Sequence, residues 1–100
     1  MRIGTTPTHQ FTLPFPVDLV QKVEITYCQS GKEIIKKCND DCVMEGETIS
    51  ITFTQEDTFK FNWTDGNIEI QVRVLTTGND VLASRIYEMR PYKCLSEEVL

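Results

Sequence analysis

The run IEIQVRVLTTGNDVLAS, residues 68–84, decides the fold. Ile68, Ile70, Val72 and Val74 alternate with Glu69, Gln71 and Arg73, so an extended chain places its aliphatic groups on one face and its polar groups on the other. Gly78-Asn79 then tolerates the positive φ of a tight hairpin, and the chain turns back. A two-residue loop there would bring Arg85 onto the apolar face, where an unpaired charge is costly. A three-residue loop opposes Val74 to Leu82, Val72 to Ser84 and Ile70 to Ile86, and is the preferred register.

The same period of two recurs outward from this run. Phe11, Leu13 and Phe15 alternate with polar residues or proline, as do Val23, Ile25 and Tyr27, then Ile49, Ile51 and Phe53, then Phe59, Phe61 and Trp63. Ser30-Gly31 and Asp65-Gly66 supply two further hairpin loops. With Asp65-Gly66 as a two-residue loop, Trp63 faces Ile68, Phe61 faces Ile70 and Phe59 faces Val72, apolar on apolar, which puts Trp63 in the core. Pro14 and Pro16 cannot donate to a ladder, so the first strand is expected to sit at a sheet edge or to end early. No segment sustains helical spacing, and CLSEEVL at the carboxyl end is too short for more than one turn.

These features predict an all-β fold: two antiparallel sheets in an immunoglobulin-like sandwich of about seven short strands, with a partly closed barrel as the alternative. Trp63 follows three of the four cysteines, which is not the order of an antibody-type domain. One hundred residues suffice for one core, here a single domain over 1–91 with a tail at 92–100. Both terminal segments, MRIGTTP and KCLSEEVL, fall outside the strands and are expected to stay mobile until a partner orders them.

Charge narrows the partners. Fifteen acidic against ten basic residues leave a net charge of −5, which opposes nucleic acid and anionic membrane surfaces. No apolar run approaches the roughly 20 residues of a membrane helix, and the amino-terminal stretch lacks the apolar core of a secretory signal. The expectation is a protein made in the cytoplasm, where thiols are normally reduced. Asn62-Trp63-Thr64 matches a glycosylation triplet but reads as a strand end.

The stretch KKCNDDCVMEG, residues 36–46, resembles chemistry most. Its cysteines are spaced Cys-x3-Cys, not in the paired Cys-x2-Cys spacing of zinc sites, and Asn39-Asp40-Asp41 offers too few oxygens for calcium. It reads as a polar hairpin loop that makes Cys38 and Cys42 cross-strand neighbours, reduced thiols or a disulfide pair. Across the Ser30-Gly31 hairpin, Cys28 faces Glu33 and Cys38 faces Val23, roughly 16 Å apart along the ladder, too far for a bridge. His9, the lone histidine, is expected to be satisfied or solvent-facing. No catalytic residues, metal ligands or cofactor emerge.

TQEDTFKF, residues 54–61, and IEIQVRVLTTGNDVLAS, with the opening MRIGTTPTHQFTLPF and the tail CLSEEVL, resemble small prophage-encoded β-sandwich proteins. These belong to the structural gene cassettes of tailed phages of Gram-positive bacteria. The resemblance covers about half the chain, and four cysteines depart from it. It implies a non-enzymatic tail- or baseplate-associated protein, made in the bacterial cytoplasm and a candidate for the virion. Its partners would be other phage structural proteins or a second copy. The last strand, 81–89, has no proline before Pro91, so Val81, Arg85, Tyr87 and Met89 mark the expected interface. The alternative is a binding module for host-surface sugar through Trp63, Tyr87 and Tyr92.

Overall fold

A computed structural model describes all 100 residues. Eight strands form: β1 (Thr8–Thr12), β2 (Val20–Gln29), β3 (Lys32–Cys38), β4 (Cys42–Glu45), β5 (Thr48–Thr52), β6 (Ile68–Thr76), β7 (Val81–Ala83) and β8 (Tyr87–Met89), with one short helix, α1 (Gln55–Phe59). One sheet runs β1-β5-β4 and the other β3-β2-β6, with β7 and β8 both paired to the free side of β6; every pairing is antiparallel. The expected all-β, two-sheet antiparallel sandwich is what forms, with eight strands instead of about seven.

The inward faces follow the alternation. Val23, Ile25 and Tyr27 of β2, Ile49 and Ile51 of β5, Ile68, Ile70, Val72 and Val74 of β6, and Phe53 just past β5 share one buried cluster between the sheets. Burying such side chains stabilises by about 1.5–3 kcal/mol each. As expected, β1 is an edge strand.

Two hairpins behave as read. Ser30-Gly31 joins β2 to β3, with Ser30 at φ 53° and Gly31 at φ 76°. Cys28 opposes Glu33, but a bulge beyond Tyr27 shifts the register by one, so Cys38 opposes Glu24 and not Val23. The three-residue loop at residues 77–79 opposes Val74 to Leu82, and Ser84 N–H donates to Val72 O at 2.8 Å.

The Asp65-Gly66 hairpin does not form. Residues 55–59 are helical, and β6 pairs instead with β2, Tyr27 opposite Ile70 and Ile25 opposite Val72. The local cause is a capping box: Asp57 N–H donates to Thr54 Oγ1 and Thr54 N–H donates to Asp57 Oδ2, both at 3.1 Å. Lys37 of β3 donates to the same carboxylate at 2.9 Å. Burial alone would push the Asp57 carboxyl up, but the Thr54 N–H and the Lys37 ammonium outweigh it and hold it below the usual range. Phe61 still reaches the core, whereas Trp63, expected there, is 46% exposed.

The amino terminus also departs from expectation. Arg2 forms a parallel bridge with Tyr92, Ile3 N–H donates to Tyr92 O at 3.0 Å, and Ile3 is buried. Gly4 passes Phe59 at φ +83°, where a Cβ would lie 2.9 Å from the ring. Buried Thr58 completes the clamp: its Oγ1 accepts from Gly4 N–H at 2.9 Å and lies 2.9 Å from Thr5 O, to which it can donate. Thr58→Val keeps the shape and strands both backbone groups, so we expect a loss of about 1–3 kcal/mol in urea unfolding.

Candidate interaction groove

The side chains of β1 at odd positions, His9 and Phe11, point inward with Leu13 and Phe15 beyond them, all half-buried. Across from them lie β7 and β8. Between these edges runs a groove of about 1020 Å³, with Ile70, Val72 and Val74 at its floor. Its far wall includes Leu82, Arg85, Tyr87 and Met89; Leu82 and Tyr87 are exposed.

Three of the four residues expected at an interface, Arg85, Tyr87 and Met89, therefore line one concave surface. Val81 does not: it opposes Leu75 and borders a separate depression beside Lys22 and Asp40. The single strand expected over 81–89 is broken at residues 84–86. Ser84 Oγ accepts from Val72 N–H at 3.0 Å and donates to Arg85 O at 2.7 Å, taking a ladder position with its side chain. The register slips by one as a result, and Tyr87, not Ile86, opposes Ile70. Sequence reasoning placed Phe11, Leu13 and Phe15 on a strand but missed that they and Leu82 share this groove. The join requires knowing which sheet holds each strand.

His9 closes the inner end. Its Nδ1 lies 2.9 Å from the Tyr27 hydroxyl, and its ring meets Phe53 edge-on at 5.0 Å. Burial lowers its pKa from 6.5, with the terminal ammonium adding to the effect, and burial raises that of Tyr27 well above 10.0. At His9 the unfolded chain then binds a proton more readily than the folded one. The contribution of neutral His9 to stability is full above pH 6.5 and is lost as the pH drops through that value towards the depressed folded pKa. Thermal melts across this window should show the decline, and His9→Gln should flatten it. Asp57 enters only below its ordinary 3.8.

The cysteine stretch is a corner, not a hairpin. β3 and β4 belong to different sheets, joined by the 3-10 turn Asn39–Asp41, so Cys38 and Cys42 are not cross-strand neighbours. Asn39 explains the turn: its Oδ1 accepts from Val23 N–H at 2.7 Å and its Nδ2 donates to Gln21 O at 3.0 Å. Both thiols are free, and Cys42 Sγ donates to Cys38 O at 3.1 Å. Burial pushes the Cys42 thiol up to about 11, with nearby Asp41 adding to it, which keeps it protonated at neutral pH. No three His, Cys, Asp or Glu side chains gather as metal ligands.

The aromatic residues do not converge. Trp63 borders a different cleft, with Phe59 and Cys94, and the Lys93 ammonium sits 5.2 Å from its ring centre. Arg2 and Arg90 flank Tyr92 at 5.8 and 5.7 Å, and Arg85 lies 4.7 Å from the ring centre of Tyr87. No helix is long and apolar enough to cross a membrane.

Comparison with protein-family models finds no match, and neither does comparison with curated proteins. Among solved structures the chain is similar to the V domain of amphioxus IgVJ-C2, at 12% identity and a TM-score of 0.37 over 91% of this chain and 96% of that one. The fold described above rests on the strand pairings themselves.

Proposed function

We propose that this chain is a non-enzymatic assembly protein that works through protein–protein contacts at the groove between β1 and β7–β8. The setting implied by the sequence resemblance is the tail or baseplate of a tailed phage, with synthesis in the bacterial cytoplasm and incorporation in the virion. One observation carries the reading: Leu82 and Tyr87 expose large apolar surface on the β7–β8 wall of a groove whose other wall is the free edge strand β1.

The chain should be present in purified particles of the encoding phage, and Tyr87→Asp should reduce its incorporation severalfold while thermal melting shows a folded protein. Absence from particles, or gene neighbours that encode no virion proteins, would overturn the assignment. Sugar binding is the weaker alternative, because Trp63 and Tyr87 border different clefts and a cation lies over each ring. A glycan-array signal abolished by Trp63→Ala would reverse that preference.

A further inference from the structure

The free sheet edges differ in charge. β3 carries Lys32, Glu33, Lys36 and Lys37, β4 carries Glu45, and the β7–β8 side carries Arg85 and Glu88. β1, Thr-His-Gln-Phe-Thr, carries no acidic or basic residue apart from His9, whose neutral form is favoured by burial. Charges on an edge deter further pairing, so β1 is the edge least defended against it.

Its backbone is also available. Phe53 N–H donates to Pro7 O at 2.9 Å and Leu13 N–H donates to Glu47 O at 2.8 Å, so the odd residues of this stretch make the bonds towards β5. In an antiparallel ladder the intervening residues turn their N–H and C=O the other way. Thr8, Gln10 and Thr12 therefore face the free edge, and the ladder would stop at Pro14, which has no N–H to give.

The two sheets are unequal in width. The β1-β5-β4 sheet has three strands against four strand positions in the other, β3, β2, β6 and the shared β7–β8 place. The Asn39–Asp41 corner ties β3 to β4 at one side, which leaves the shortfall at the other, beyond β1 and across from β7 and β8. Leu82 and Tyr87 are exposed there.

We propose that an extended segment of another protein adds to the free edge of β1 as a fourth strand, its alternate apolar side chains covering Leu82, Tyr87 and Met89 and a carboxylate meeting Arg85. Main-chain bonds to Thr8, Gln10 and Thr12 supply affinity, and the side-chain alternation supplies selectivity. The inference rests on the assembly reading and names the kind of partner.

Charge favours a foreign strand over a second copy. Arg85 lies over Tyr87, and the carboxylates that form ion pairs in this structure, Glu24, Glu33 and Asp57, are engaged with Lys36, Lys37, Lys60 and Arg73 instead. β1 of a second copy brings no carboxylate to Arg85, and its own β7–β8 would crowd the same space. The tail at 93–100 has no apolar alternation and cannot serve as the strand.

The test uses the whole chain and a capped peptide in which valine alternates with threonine and serine, with one aspartate. Saturating peptide should slow amide exchange of Thr8, Gln10 and Thr12 about tenfold, as bonded strand amides do. Arg85→Glu should weaken binding about fivefold, and a peptide with lysine in place of the aspartate should restore it. Gln10→Pro removes an outward N–H and should cost about tenfold in affinity. Binding that leaves those three amides unchanged, or no saturable binding at millimolar peptide, would overturn strand addition. Neither result bears on presence in particles, so a chain found there without such protection rejects only this mode of contact. Protected amides in a chain absent from particles would reject only the phage setting.

Discussion

Phe53→Ala should destabilise the fold by about 3–5 kcal/mol, the range for removing a fully buried phenylalanine and leaving a cavity. Phe53 is 1% exposed and stands where the two sheets meet. Its ring packs edge-on against Tyr27 at 4.9 Å and His9 at 5.0 Å, lies 6.5 Å from Phe61, and has the Lys37 ammonium 5.3 Å from its centre. These neighbours come from β1, β2, β3 and the segment after α1, so no single one can move in to fill the gap. Urea unfolding followed by circular dichroism measures the loss. A change under about 1 kcal/mol would mean that the site relaxes freely, contrary to the close packing of protein cores.

Gln29→Leu should cost about 2–4 kcal/mol, although leucine is similar in size and more apolar. Gln29 is 3% exposed at the end of β2, and its amide does the work of a missing strand. Its Nε2 donates to Asn62 O and, at 3.0 Å, to Gly66 O, while its Oε1 accepts from Asn62 N–H at 2.8 Å. Leucine would leave those three backbone groups without their partner. Ser30 Oγ, which donates to Asp65 O at 2.9 Å, is too little to hold the loop alone. Trp63 lies in this loop and is the sole tryptophan, so its fluorescence should change at lower urea than the dichroism of the sheets. Coincident transitions with unchanged stability would remove Gln29 from this role.

The same amide explains why the Asp65-Gly66 hairpin was the sequence's most persuasive wrong feature. Trp63, Phe61 and Phe59 match Ile68, Ile70 and Val72 position for position, and the turn residues suit a hairpin. The competing signal was present in Thr54-Gln55-Glu56-Asp57, whose capping pattern starts α1 and ends the alternation as a strand. What could not be read locally is that β2, about forty residues earlier, offers Ile25 and Tyr27 as a longer ladder for β6, with Gln29 satisfying the loop.

The groove was legible in part for a similar reason. Arg85, Tyr87 and Met89 stand out because nothing in the sequence blocks their edge, but the bulge at Ser84 depends on a side-chain hydroxyl replacing a ladder bond. The inclusion of β1 depends on the sheet to which it belongs. Likewise, Asn39-Asp40-Asp41 has the composition of any tight turn. Only the bonds from Asn39 to β2 make it a passage between sheets.

Alternation and turn chemistry by themselves determined that the chain is extended, which face of most strands is apolar, where β2 meets β3 and β6 meets β7, and that β1 lies at an edge. These are properties of a few neighbouring residues, set by the period of two and by backbones that accept positive φ. Tertiary structure alone decided the partner of β6, the exposure of Trp63, the anchoring of the amino terminus by Thr58 and the groove between β1 and β8. Each of these depends on polar groups far apart in sequence finding one another, a choice settled by the cost of leaving them unbonded, which no local pattern encodes.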